Sequence, residues 1–126
     1  MQPEATPDIY IKTPTGTANA NHVTLPTTRR FFREAWRLSG EVIAIDMTAA
    51  KASALARIRA ARQGHLERLD GEWMKAVGRK DPASADAIET KRQKLRDVTV
   101  DPRLNASAPE DLRTAVEAIE AEMAAL

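Results

Sequence analysis

The sequence predicts an α+β fold that is mainly helical. It divides into a small N-terminal antiparallel β-unit with a short aromatic helix (1–47), a helical hairpin (48–98) and a C-terminal helix of heptad-like spacing (99–126). Three observations carry this prediction. Short β-branched and aromatic runs, broken by proline and glycine, fall in the first third of the chain. Apolar residues then recur at three- and four-residue steps on either side of one break, Gly78-Arg79-Lys80-Asp81-Pro82. Last, Leu112, Val116, Ile119, Met123 and Leu126 step by 4, 3, 4 and 3 behind a proline.

In the first segment, Ile9-Tyr10-Ile11 reads as a strand, and Lys12-Thr13-Pro14-Thr15-Gly16-Thr17 as the turn after it. His22-Val23-Thr24-Leu25-Pro26 is a weaker extended piece. His22 has no second imidazole at ligand spacing, so it reads as a surface histidine rather than a metal ligand. Arg29-Arg30-Phe31-Phe32-Arg33-Glu34-Ala35-Trp36-Arg37-Leu38 spaces its apolar residues like a short helix or turn, capped by Thr27-Thr28 and ended by Ser39-Gly40. Aromatics interleaved with arginines suit stacking on bases, but a chain this poor in aromatics needs them for its core. Glu41-Val42-Ile43-Ala44-Ile45-Asp46 is the clearest strand, expected to pair with 9–11 or 22–25.

Asp46 or Thr48 caps a long helix whose stripe runs Leu55, Ile58, Ala61, His65 or Leu66, Leu69, Trp73 and Val77. Trp73 and Met74 are read as core. Gly64 and Gly71 weaken this helix by about 1 kcal/mol each without ending it. Asp81-Pro82 opens the second helix, with Ala85, Ile88, Arg92 and Leu95 facing inward. Asp101-Pro102 breaks it. Ser107, with Pro109 and Glu110 behind it, forms a capping box for the last helix. That helix is expected to dock on the hairpin or to meet another copy.

Composition sets the outer bounds. Hydrophobic residues make up 43% of 126, but many are alanine and only 4% of all residues are aromatic. The core is therefore thin, and self-association or a partner is expected to supplement it. Net charge is +1 overall, yet residues 48–98 carry twelve basic against seven acidic side chains and residues 99–126 two against six. The acidic tail is expected to lie near the basic hairpin or to meet another copy's hairpin, with a solvated charged face as the alternative. Cysteine is absent, which excludes disulfides and thiolate metal sites. The first residues lack a basic-then-apolar leader, and no apolar run nears the roughly 18 residues of a membrane span. A soluble, cytosolic protein is expected.

Catalytic patterns are missing. The five glycines (16, 40, 64, 71, 78) form no phosphate loop, no serine sits in a nucleophile elbow, and Asp70/Glu72 and Glu120/Glu122 are spaced onto different helix faces. No enzyme, cofactor or metal is expected.

One pattern is more specific. The residues Arg59-Ala60-Ala61-Arg62, Leu66, Leu69-Asp70, Trp73-Met74-Lys75-Ala76, Asp81, Ile88, Lys91-Arg92-Gln93-Lys94-Leu95-Arg96-Asp97-Val98, Asp101-Pro102 and Ala108-Pro109-Glu110-Asp111-Leu112 resemble small tail-associated proteins of tailed bacteriophages and prophages, often described as tail fibre assembly proteins. The stretch from Ile9 to Asp46 resembles the N-terminal portion of the same proteins. Gly64, Gly71, Lys94 and the longer final helix depart from the pattern. The resemblance implies a non-enzymatic protein that binds a tail fibre or distal tail protein. It would act in the host cytoplasm during assembly, with retention in the virion tail as a second destination. Candidate partner-binding residues are Ile9, Tyr10, Ile11, Phe32 and Trp36 in the β-unit and Leu112, Val116, Ile119 and Met123 in the seam, and the seam could also form a homo-oligomer. The alternative is a small regulatory nucleic-acid-binding protein using Arg29–Arg37 or Arg57–Arg68.

Overall fold

Two short antiparallel hairpins precede three helices in the computed structural model, which describes residues 10–19, 24–28, 31–40 and 42–126. The α+β, mainly helical class read from the sequence is the observed one. The chain forms two compact units, Met1–Ser53 and Ala54–Leu126.

In the first unit, β1 (Tyr10–Thr13) pairs with β2 (Gly16–Asn19) across the two-residue turn Pro14-Thr15. Thr13 closes the turn: its hydroxyl donates to the Gly16 carbonyl at 2.7 Å and accepts from the Thr15 amide at 3.3 Å. The expected strand 9–11 is thus displaced toward the turn, and Ile9 lies outside the described residues.

The expected helix over 29–38 is corrected by the structure. Among the described residues of this stretch, Arg33–Ala35 makes a short 3-10 turn, and Trp36–Ser39 is a strand, β3, paired with β4 (Val42–Ile45). Trp-Arg-Leu-Ser fits a period of two as readily as a helical one. The tie is broken by Gly40, whose φ of +62° suits the two-residue turn that joins Ser39 to Val42. β4 therefore pairs with β3, not with 9–11. Among the described residues, its contact with the 22–25 piece is a parallel bridge, where the Ile43 amide donates to the Thr24 carbonyl at 2.8 Å. Leu38 joins the two hairpins, its amide donating to the Thr15 hydroxyl at 2.8 Å.

α1 (Met47–Gly78) is about 48 Å long at 1.5 Å per residue. Asp46 is its cap, with Oδ1 accepting from the amides of Thr48 at 3.0 Å and Ala49 at 3.3 Å. The helix runs unbroken through Gly64 and Gly71. It ends in a Schellman-type closure, with the Lys80 amide bonded to the Val77 carbonyl and the Asp81 amide to that of Ala76, both at 3.0 Å. The position that such a closure reserves for glycine is filled by Lys80, at φ +56°.

α2 (Pro82–Asp97) starts behind Asp81, whose carboxylate accepts from the Ser84 amide at 3.2 Å and the Ser84 hydroxyl at 2.7 Å. Short 3-10 turns at Val98–Val100 and Pro102–Asn105 lead to α3 (Pro109–Ala124). Here too the sequence expectation is corrected. The N-cap of α3 is Ala108, not Ser107, and it makes no side-chain cap bond. A residue before proline is driven to extended backbone, and Ala108 sits at φ −114°, ψ 142°. The helix therefore enters at Pro109 and leaves Ser107 one residue too early to cap it.

Candidate functional site

The surfaces available to a partner follow from which candidate side chains the fold has already buried. Phe32 and Trp36 are 1% and 2% exposed and form the core of the first unit with Ala35 and Ile43. Phe31 meets Phe32 edge-on at 4.8 Å, and the Arg33 guanidinium lies 5.5 Å from the Trp36 ring. Phe32 and Trp36 thus act as packing residues, which corrects the expectation that they contact a partner. Ile11 is half-buried in β1, Tyr10 contributes backbone to the same strand, and Ile9 lies outside the described residues, as does His22.

For the seam, docking within the chain is the one of the two expected outcomes that is observed, which corrects the expectation that its residues are open to a partner. Leu112, Val116, Ile119 and Met123 are each at most 1% exposed within a single chain. Docking inside the unit has taken the place of contact with another copy. The charge asymmetry between hairpin and tail is used in the same packing, since Arg57 of α1 pairs with Glu120 of α3 at 2.7 Å.

The two arms of the hairpin are joined by Arg92. Its guanidinium lies 5.1 Å from the centre of the half-buried Trp73 ring and pairs with Asp70 at 2.9 Å and Glu89 at 2.8 Å. The Asp70 contact is a close ion pair rather than an aligned hydrogen bond. Leu69 and Leu95, one on each arm, are both fully buried. Arg96 adds a pair to Glu89 at 2.8 Å, and this guanidinium is the main cause that holds the Glu89 carboxyl below the usual range. The resemblance pattern contains all of these residues except Glu89, so it marks parts of the hairpin that hold one another.

A second charged cluster surrounds Arg103. It donates from both sides of its guanidinium fork to Asp101 and reaches Glu122 of α3 at 2.7 Å. These bonds push the arginine further up and hold Asp101 below its ordinary value. Sequence reading missed this cluster, because the partners are 19 residues apart and meet only when α3 folds back. A recess of about 300 Å³ opens beside it, floored by Val98, Ile119, Met123 and Leu126 with Lys94 on its wall. Among the described residues there is no cluster of three or more histidines, cysteines or carboxylates suited to a metal ion. No described helix is long and apolar enough to cross a membrane.

Among the described residues, the large apolar side chains left on the surface are Val42 (48% exposed), Met74 (69%), Val77 (48%) and Val100 (76%). Met74 corrects its placement in the core. The inner face of α1 is set by Ile58, Leu69 and Ala76, and Met74 points well away from that line. Comparison of the chain with protein-family models, curated proteins and solved structures returns no match. The chain is thus defined by its fold and its surfaces: an α+β, mainly helical protein of two units.

Proposed function

We propose that this chain is a non-enzymatic tail protein of a tailed bacteriophage or prophage. It binds a tail fibre or distal tail protein, and either assists fibre assembly or forms part of the tail tip. The observation that carries the reading is the way the resemblance residues come together. Asp70, Trp73 and Arg92, scattered over two sequence stretches, meet in one contact between the arms of the hairpin, and Leu69 and Leu95 of the same stretches are fully buried. Such residues supply a scaffold, and recognition falls to the surfaces around it.

In the first unit that surface is strand edge. β4 exposes Val42, and among the described residues its tie on the side away from β3 is the bridge to Thr24, so a partner strand could extend the pairing. The arginines favour this reading over nucleic-acid binding. Arg37, Arg57, Arg68, Arg79, Arg92, Arg96, Arg103 and Arg113 each pair with a carboxylate of the chain and so offer less charge to phosphate.

The test is co-elution of the purified protein with the fibre and distal tail proteins encoded by the same genome. A complex with one of them that weakens on Val42→Lys supports the proposal. Absence of a complex with either, together with a salt-sensitive gel shift on DNA or RNA, would replace it with the nucleic-acid alternative. Mass spectrometry of purified particles then separates an assembly factor from a retained component.

A further inference from the structure

Between charged neighbours such as Arg59, Arg68 and Lys75, the solvent side of α1 carries one line in which small residues predominate, where an exposed helix face ordinarily carries polar ones. Ala60, Gly64, Glu67, Gly71, Met74 and Gly78 lie on one line along the helix, all exposed, with Met74 standing out at 69%. A Cβ added at Gly64, Gly71 or Gly78 would meet nothing within 4 Å, so the fold of one chain gives no reason for glycine at these positions. Gly64 and Gly71 nonetheless each destabilise the helix interior by about 1 kcal/mol relative to alanine.

From this face we infer that the protein self-associates, α1 packing antiparallel against α1 of a second copy. The line steps by 4, 3, 4, 3 and 4 residues, a sequence that reads the same from either end. A two-fold axis at residue 69 therefore brings the line into register with its own reverse. Ala60 then falls opposite Gly78, Gly64 opposite Met74, and Glu67 opposite Gly71. Each layer sets a side chain against a glycine, so the helices can approach at the short end of the usual interaxial range of about 8–10 Å.

Charge selects the same orientation. A parallel pair would stack Glu67 on Glu67 and Met74 on Met74. The antiparallel pair separates the two carboxylates and places each within about one turn of the other copy's Lys75. Lys75 has no ion pair among the described residues, and Glu67 accepts only from Gln63, at 3.1 Å. This surface is separate from the proposed β-unit edge and does not depend on the tail-protein reading.

Sedimentation or light scattering of the full chain should give twice the 13.9 kDa chain mass at high concentration. Gly71→Gln should restore the monomer mass while leaving helical circular dichroism equal or higher, which separates lost association from lost folding. Glu67→Lys should weaken the dimer, and adding Lys75→Glu should recover it. Because the chain has no cysteine, an Ala60→Cys protein mixed with a Gly78→Cys protein should form a disulfide-linked pair on oxidation, and neither should do so alone. A monomer at every concentration, a dimer indifferent to Gly71→Gln, or failure of the mixed pair to cross-link would each overturn the inference.

Discussion

At the residue scale, several positions hold a side chain that their backbone would not choose. Lys80 adopts a left-handed conformation that costs a side chain about 1 kcal/mol, without a side-chain hydrogen bond or ion pair in return among the described residues. Lys80→Gly should raise unfolding free energy by about that amount in urea titration. Ala108 fills an N-cap that has no side-chain acceptor, and Asp111 follows at the third helical position. Ala108→Ser should add about 1 kcal/mol, read the same way. Asp81 shows the opposite case, a cap that works. The Ser84 hydroxyl first, and then the Ser84 amide, hold its carboxyl below the usual aspartate value near 3.9. The folded state then binds fewer protons than the unfolded state, so this contribution is complete above about pH 4 and fades as pH falls through the lowered value. NMR titration of Asp81 should show that lowering, and Ser84→Ala should reduce it.

At the element scale, helices were more legible than strands, for a physical reason. α1 and α2 are long, so their stripes repeat often enough to fix both type and extent, and Asp81-Pro82 marked the start of α2 to the residue. Trp36–Ser39 spans four residues, too few to distinguish a period of two from one near 3.6. Its partner strand and the turn at Gly40 decided the matter. The seam of α3 was visible as a pattern, but whether it closes within one chain depends on surfaces that sequence spacing does not describe. Because Ile119 is 1% exposed, Ile119→Asp should unfold the helical unit rather than merely dissociate copies. Leu95→Ala should cost about 2–5 kcal/mol by chemical denaturation, since Leu95 is fully buried against the hairpin.

At the scale of the whole molecule, composition pointed to a thin core, and the structure divides that core in two. Phe32, Trp36 and Ile43 fill one part, and Ile58, Leu69, Leu95 and the α3 seam the other. Each unit contains one of the two tryptophans, Trp36 in the first and Trp73 in the second. In a Trp73→Phe variant, urea unfolding followed by Trp36 fluorescence should not coincide with unfolding followed by far-UV circular dichroism, which mostly reports the helices. Coincident curves would mean that the two units unfold as one. The candidate surfaces were the least legible feature. Burial removed Phe32, Trp36 and the seam from the set, while the exposed line through Gly64 and Gly71 appeared in sequence only as weak points in a helix.

The closure at Lys80 also bears on how the chain meets a protease. A basic side chain stands exposed between two helices, in a connection of only three residues, at a backbone angle already unfavourable for it. Trypsin should nick the native protein there early. The fragments would still share the Asp70–Arg92 and Arg57–Glu120 pairs and the core between Leu69 and Leu95. Nicked protein should elute intact and separate only in denaturant, so residues 1–80 and 81–126 would serve as complementing halves of a split protein.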